Sequence, residues 1–161
     1  IANAKLEEVD TLVSLQGQAM HRLLEWRRPD GAFCSQEQLQ AVANEFGLDD
    51  SQVADAAAMA QRIVTGEGAW AWDTNELAWQ GNEVALMHQA NLLRLDRLVQ
   101  QRRSGEWWVL DYKSAAQPQQ QPELVTQLKT YRAAVQAAQP GQVVRAAFLA
   151  GNGAMIEITE S

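Results

Sequence analysis

The chain has 161 residues, 47% hydrophobic and 20% charged, the make-up of about one ordinary globular domain with a sizeable core. No apolar run approaches the roughly 18 residues that span a bilayer and no signal-peptide pattern opens the chain, so a cytoplasmic location is expected by default. The lone Cys34 excludes an internal disulfide framework and a four-cysteine zinc or iron–sulfur site, while the net charge of −7 speaks against tight autonomous binding to a polyanion.

Residues 4–27 predict a helix, because Leu6, Val9, Leu12, Val13, Leu15, Met20, Leu23 and Leu24 recur at three- and four-residue spacing. The chain opens at Ile1 and passes straight into this pattern, as a piece cut from a larger protein would. Gly17 and His21, four apart, share one face. A lone helix histidine is more often structural than a ligand. A mid-helix glycine costs about 1 kcal/mol against alanine, so Gly17 points to a close backbone approach beside His21. Arg27-Arg28-Pro29-Asp30-Gly31 ends the helix. Ser35 is an N-cap for a second helix, Gln36–Phe46, closed by Gly47. A third runs from Asp49-Asp50-Ser51 to Gly66; it is alanine-rich packing material with no chemistry assigned.

Residues 67–90 predict a short helix or loop, then one or two strands, the second at about Glu83–His88. Trp70, Trp72 and Trp79 could stack bases, although core packing is their more ordinary role. Glu83 either faces the acids of the next segment or is solvated, and His88 reads as a surface residue.

Leu92–Ser114 reads as a hairpin turning at Ser104-Gly105. Trp107, Val109, Asp111 and Lys113 share one face of its second strand; Arg94, Asp96 and Leu98 share a face of the first. With a two- or four-residue loop centred on Ser104-Gly105, Leu98 lies opposite Asp111 and Asp96 opposite Lys113. Asp96 is then diagonal to Asp111 on the same face. A one-residue slip would send it to the far face. Either Asp96 and Lys113 form a cross-strand salt bridge and Asp111 ends a strand, or the three charges gather around a bound ion.

AAQPQQQP then reads as a polar linker, and Pro122 occupies the first turn of a helix, Glu123–Ala138. Leu124, Leu128, Tyr131 and Val135 form its stripe, and Gln127 and Tyr131 are i,i+4 neighbours. Pro140-Gly141 breaks it, and Val143–Ala150 and Ala154–Thr159 form a second hairpin around Gly151-Asn152-Gly153. This order predicts an α/β (α+β) single domain, 1–161, with a helical part at 1–66. A mixed sheet at 67–161 with helix 122–138 against it completes the arrangement.

The motifs GQAMHRLLE, LRLDRLV, WWVLDYKS and QLKTY, in that order, resemble the nuclease domain of the RecB/AddA kind, a branch of the PD-(D/E)XK superfamily. Any one is weak alone; four in order, spanning Gly17 to Tyr131, are specific. The resemblance implies a restriction-endonuclease-like fold. It implies that His21, Asp96, Asp111 and the backbone carbonyl of Tyr112 hold a divalent metal, Mg²⁺ or Mn²⁺, and that Lys113 is the catalytic lysine. Gln127 and Tyr131 match the family's Q-x-x-x-Y motif, where they either position the strand or simply pack the helix. Glu83 stands where relatives often carry an acid. The iron–sulfur branch is excluded by its missing cysteines.

The function so implied is metal-dependent DNA hydrolysis, as the exonuclease module of a helicase–nuclease that processes double-strand breaks. Its partners would be a single-stranded DNA end fed by the motor, the rest of that polypeptide and a second subunit, with no membrane. The charge distribution fits: residues 1–90 carry 5 Lys/Arg against 14 Asp/Glu, whereas residues 91–161 carry 8 against 6. DNA would thus approach one side, with the motor supplying most of the affinity. The alternatives are a nuclease fold kept as a non-catalytic DNA-guiding or scaffolding module, and an unrelated α/β binding domain with a chance salt bridge.

Overall fold

Residues 2–29 and 31–159 are described by a computed structural model, with side chains of the first helix from Leu12 onward. The side chains of Leu6 and Val9, and Asp30 at the predicted helix end, lie outside the described residues. Two compact units emerge, Ile1–Gln61 and Arg62–Ser161.

The first unit is helical. It holds α1 (Ala2–Glu25), α2 (Gln36–Phe46) and most of α3 (Asp50–Thr65). Ser35 caps α2 through a reciprocal box with Gln38, and Gly47 ends it in the left-handed conformation at φ 65°. Asp49 and Gln52 make the same exchange at the start of α3, the Asp49 carboxylate accepting from the Gln52 amide at 2.8 Å. Arg22 of α1 forks onto Glu45 of α2 and also reaches Glu25, and these acids raise its pKa.

The second unit is a sheet in the order β1–β2–β3–β4–β5, formed by Leu77–His88, Asn91–Gln101, Trp107–Lys113, Val144–Ala150 and Met155–Ile158. Only β3 and β4 are parallel, which makes the sheet mixed. Their connection carries α4 (Pro122–Ala138), as a parallel pair requires. Leu124, Val125, Leu128, Tyr131 and Val135 of α4 pack on Val109, Val144, Ala146 and Phe148 of the sheet. This is the expected α+β arrangement of the restriction-endonuclease-like kind. Among the described residues no helix is long and apolar enough to cross a membrane.

Three details correct the sequence reading. Residues 67–90 hold a 3₁₀ turn, Ala69–Trp72, and then one strand, β1, starting six residues before Glu83. The polar linker contains a second 3₁₀ turn, Pro118–Gln120, with Pro118 buried. The hairpin register also differs. Leu98 pairs with Val109, not with Asp111. Gly105, at φ 74°, ends the loop instead of centring it, and its amide donates to the Gln101 carbonyl. Moving the loop centre by one residue moves the register by two, an even slip that keeps the paired residues Arg97–Gln100 and Trp107–Leu110 on their expected faces.

Candidate active site

The β2–β3 ladder runs from Gln100–Trp107 to Arg97–Leu110. Carried one residue further, it sets Asp96 level with Asp111. The ladder itself ends at Arg97–Leu110, so a side-chain contact and not a pairing draws Asp96 toward Asp111. Instead of a backbone bond at this point, Asp96 Oδ2 accepts from the Tyr112 amide at 2.9 Å. The β1–β2 register pairs Asn82 with Arg97 and Val84 with Leu95, which sets Glu83 level with Asp96. Glu83, Asp96 and Asp111 thus stand level in backbone position, one rung on three neighbouring strands, by the pairs that flank them.

That rung is costly. Like charges directly opposed across strands repel, and Asp111 is only 3% exposed. Glu83 has φ 49°, a conformation that non-glycine residues rarely adopt. Lys113 answers part of the charge: its ammonium lies 3.3 Å from Asp111 Oδ2. At that distance the attraction is about 5 kcal/mol for an effective dielectric of about 20, enough to offset much of the desolvation of Asp111. Arg94 approaches Glu83 at 3.9 Å from an exposed position. The Tyr131 phenol is pushed up by its burial and then by the charges of Asp111, Asp96 and Glu83, so α4 brings it to the same acids.

Of the residues singled out from sequence, Glu83, Asp96, Asp111 and Lys113 are therefore neighbours on the sheet, and Tyr131 of α4 feels the charge of the three acids. Gln127 is exposed on α4, one turn before Tyr131. His21 is half-buried on α1, in the helical unit, one turn after Gly17. The tryptophans find aromatic partners inside the chain. Trp70 meets Trp108 edge-on at 5.4 Å, Trp72 stacks on Tyr112 at 6.2 Å and Trp79 leans on Trp107 at 5.7 Å.

One residue escaped sequence reasoning. Arg97, next to Asp96, is 2% exposed on the opposite face, where its guanidinium donates to Ala71, Asn82 and Gln80 and lies 4.8 Å from the Trp72 ring. An arginine after an acid on a strand carries no signal of burial, since the acceptors come from three separate segments.

The donor set suits a hard divalent cation. Two neighbouring carboxylates with a third on the same rung is what such an ion offsets, and Mg²⁺ is commonly held by one or two carboxylates, its other positions left to water and phosphate. Among the described residues no three His, Cys, Asp or Glu side chains are gathered so as to hold a metal ion by themselves. A family model described as the PD-(D/E)XK nuclease superfamily matches residues 2–157. No curated protein matches the chain.

Proposed function

The chain belongs to the PD-(D/E)XK nuclease superfamily, whose members are generally metal-dependent nucleases, and on that premise we propose that it is a Mg²⁺- or Mn²⁺-dependent deoxyribonuclease. We assign it to the exonuclease module of a double-strand-break-processing helicase–nuclease, acting on a single-stranded end fed by the motor, with a second subunit as a further partner. The helicase context rests on the resemblance of the four motifs to the RecB/AddA kind. The chemistry rests on one observation, Lys113 against Asp111 at 3.3 Å with the Asp96 carboxylate on the neighbouring Tyr112 amide.

In this reading Asp96 and Asp111 would hold the ion, and by the resemblance of the motifs the Tyr112 carbonyl and His21 would be its further ligands. When bound, the ion supplies Lewis-acid polarisation of the phosphoryl oxygen and a more acidic water. Lys113 places a positive charge where the phosphate gains negative charge in the transition state, or orients the attacking water. Tyr131 stays protonated, since burial and the acids raise its pKa, and so can only donate to a phosphate oxygen. Gln127, one turn away, contacts the strand from outside.

The test is cleavage of single-stranded and duplex DNA with Mg²⁺ or Mn²⁺ by the wild type, Asp111→Ala and Lys113→Ala. Each variant should lose about 10²- to 10³-fold or more in rate, by analogy with removing one transition-state donor. Calorimetric Mn²⁺ titration separates the steps: Asp111→Ala should abolish binding, and Lys113→Ala should retain it. A second reading, a nuclease fold that guides DNA without cutting it, draws on the same ion pair, because the Lys113 ammonium itself answers the charge of Asp111. That reading requires a wild type that binds no Mn²⁺.

A further inference from the structure

Side chains alternate across a strand, so each acid of the rung has a chain neighbour on the reverse face of the sheet. Those neighbours are Asn82 beside Glu83, Arg97 beside Asp96 and Tyr112 beside Asp111. They are joined to one another. Arg97 Nη1 donates to Asn82 Oδ1 at 2.6 Å, and Nη2 donates to Gln80 Oε1 at 2.7 Å. Nη2 and Nε both donate to the Ala71 carbonyl, at 2.6 and 3.1 Å. The guanidinium lies over Trp72, which in turn stacks on the Tyr112 ring. The Arg97 charge also draws down the Tyr112 phenol, against the effect of burial. A buried cation on β2 with a rigid fork therefore ties β1 and the 3₁₀ turn to β2, and through the Trp72 ring, stacked on Tyr112, it braces β3.

We propose that Arg97 is a positioning residue for the metal site: from behind the sheet it holds Glu83, Asp96 and Asp111 on one rung, touching neither ion nor DNA. The inference rests on the reading that Asp96 and Asp111 bind the ion. The physical reason is specific to arginine. A planar fork satisfying acceptors on the 3₁₀ turn and on β1 fixes both relative to β2, which a point charge on a flexible stem does less well. Glu83 at φ 49° follows directly on Asn82, so the fork also anchors the strand at its strained residue.

The experiment is Mn²⁺ affinity of the whole chain, by calorimetry and by the electron paramagnetic resonance of bound Mn²⁺, at matched folded fraction by circular dichroism. Arg97→Met should weaken binding at least 10-fold and broaden the Mn²⁺ spectrum, and Arg97→Lys should recover part of the loss. Asn82→Leu and Gln80→Met each remove one bond of the fork without removing the cation. They should lower affinity in the same direction, which keeps the test open if Arg97→Met does not fold. Should these variants bind Mn²⁺ as the wild type does, or more tightly, Arg97 is not a positioning residue and the proposal falls. Wild-type binding lost in Asp111→Ala shows that the underlying reading stands in that event; a wild type that binds no Mn²⁺ removes both.

Discussion

Tyr112 is 1% exposed and stacked on Trp72, and burial pushes its phenol far above its ordinary value; Asp96, Glu83 and Asp111 push the same way and Arg97 opposes them. The folded protein thus holds this proton more tightly than the unfolded chain, where tyrosine titrates near ~10. Stability from such a group is complete below the unfolded value and is lost as pH rises toward the folded one, at about 1.4 kcal/mol per pH unit. Urea midpoints of wild type and Tyr112→Phe at about pH 9, 10 and 11 should show the wild type falling more steeply by that amount. Parallel curves would mean that the phenol ionises freely in the native state. Tyr131, half-buried and raised by its own burial and the same acids, acts in the same direction. At this scale the need of Asp96, Asp111 and Lys113 for partners was legible, because two acids and a cation on an apolar hairpin stand out; the structure pairs Lys113 with Asp111 and gives Asp96 the Tyr112 amide. It was silent on Arg97, whose burial depends on acceptors from residues 71, 80 and 82.

The β1–β2 hairpin turns through Gln89 and Ala90, both at positive φ, 50° and 66°. That is the geometry of a two-residue type I′ turn, which Asn-Gly fits far better. Replacing Gln89-Ala90 by Asn-Gly should raise unfolding stability by about 1 kcal/mol or more, read as a higher urea midpoint at unchanged slope. A midpoint that stays put or drops would show that the turn residues make contacts worth more than the strain. Neither residue is a turn former, so nothing in the sequence marks this turn, and the start of β1 at Leu77 is hidden by the Trp and polar residues that precede Glu83. The hairpin of β2 and β3 was legible from its apolar runs, yet its register was not. A glycine can sit at the centre or the end of a four-residue loop, and only the Gly105-to-Gln101 bond decides which. Face survived that error because parity did.

For the molecule as a whole, charge sets the terms on which it meets DNA. With 13 Lys/Arg against 20 Asp/Glu, few phosphates can be neutralised at once. Fluorescence anisotropy with a labelled oligonucleotide should give a Kd weaker than about 1 µM at about 150 mM salt, with a shallow salt dependence. Nanomolar binding would contradict a module that depends on a motor for delivery. The mixed sheet with helices was foreseeable from element order alone, and the helix caps Ser35 and Gly47 marked their own positions. The three-strand alignment was half legible: a Glu83 facing the hairpin acids was one of two open readings, and two registers taken together decide it. That alignment has a consequence for how such a chain can drift. Lengthening Arg102–Gly105 or the polar stretch before Pro122 leaves Glu83, Asp96 and Asp111 abreast, whereas one residue gained or lost inside β1, β2 or β3 turns a carboxylate to the wrong side. Descendants of this chain are therefore free to vary their turns but are held to fixed strand lengths.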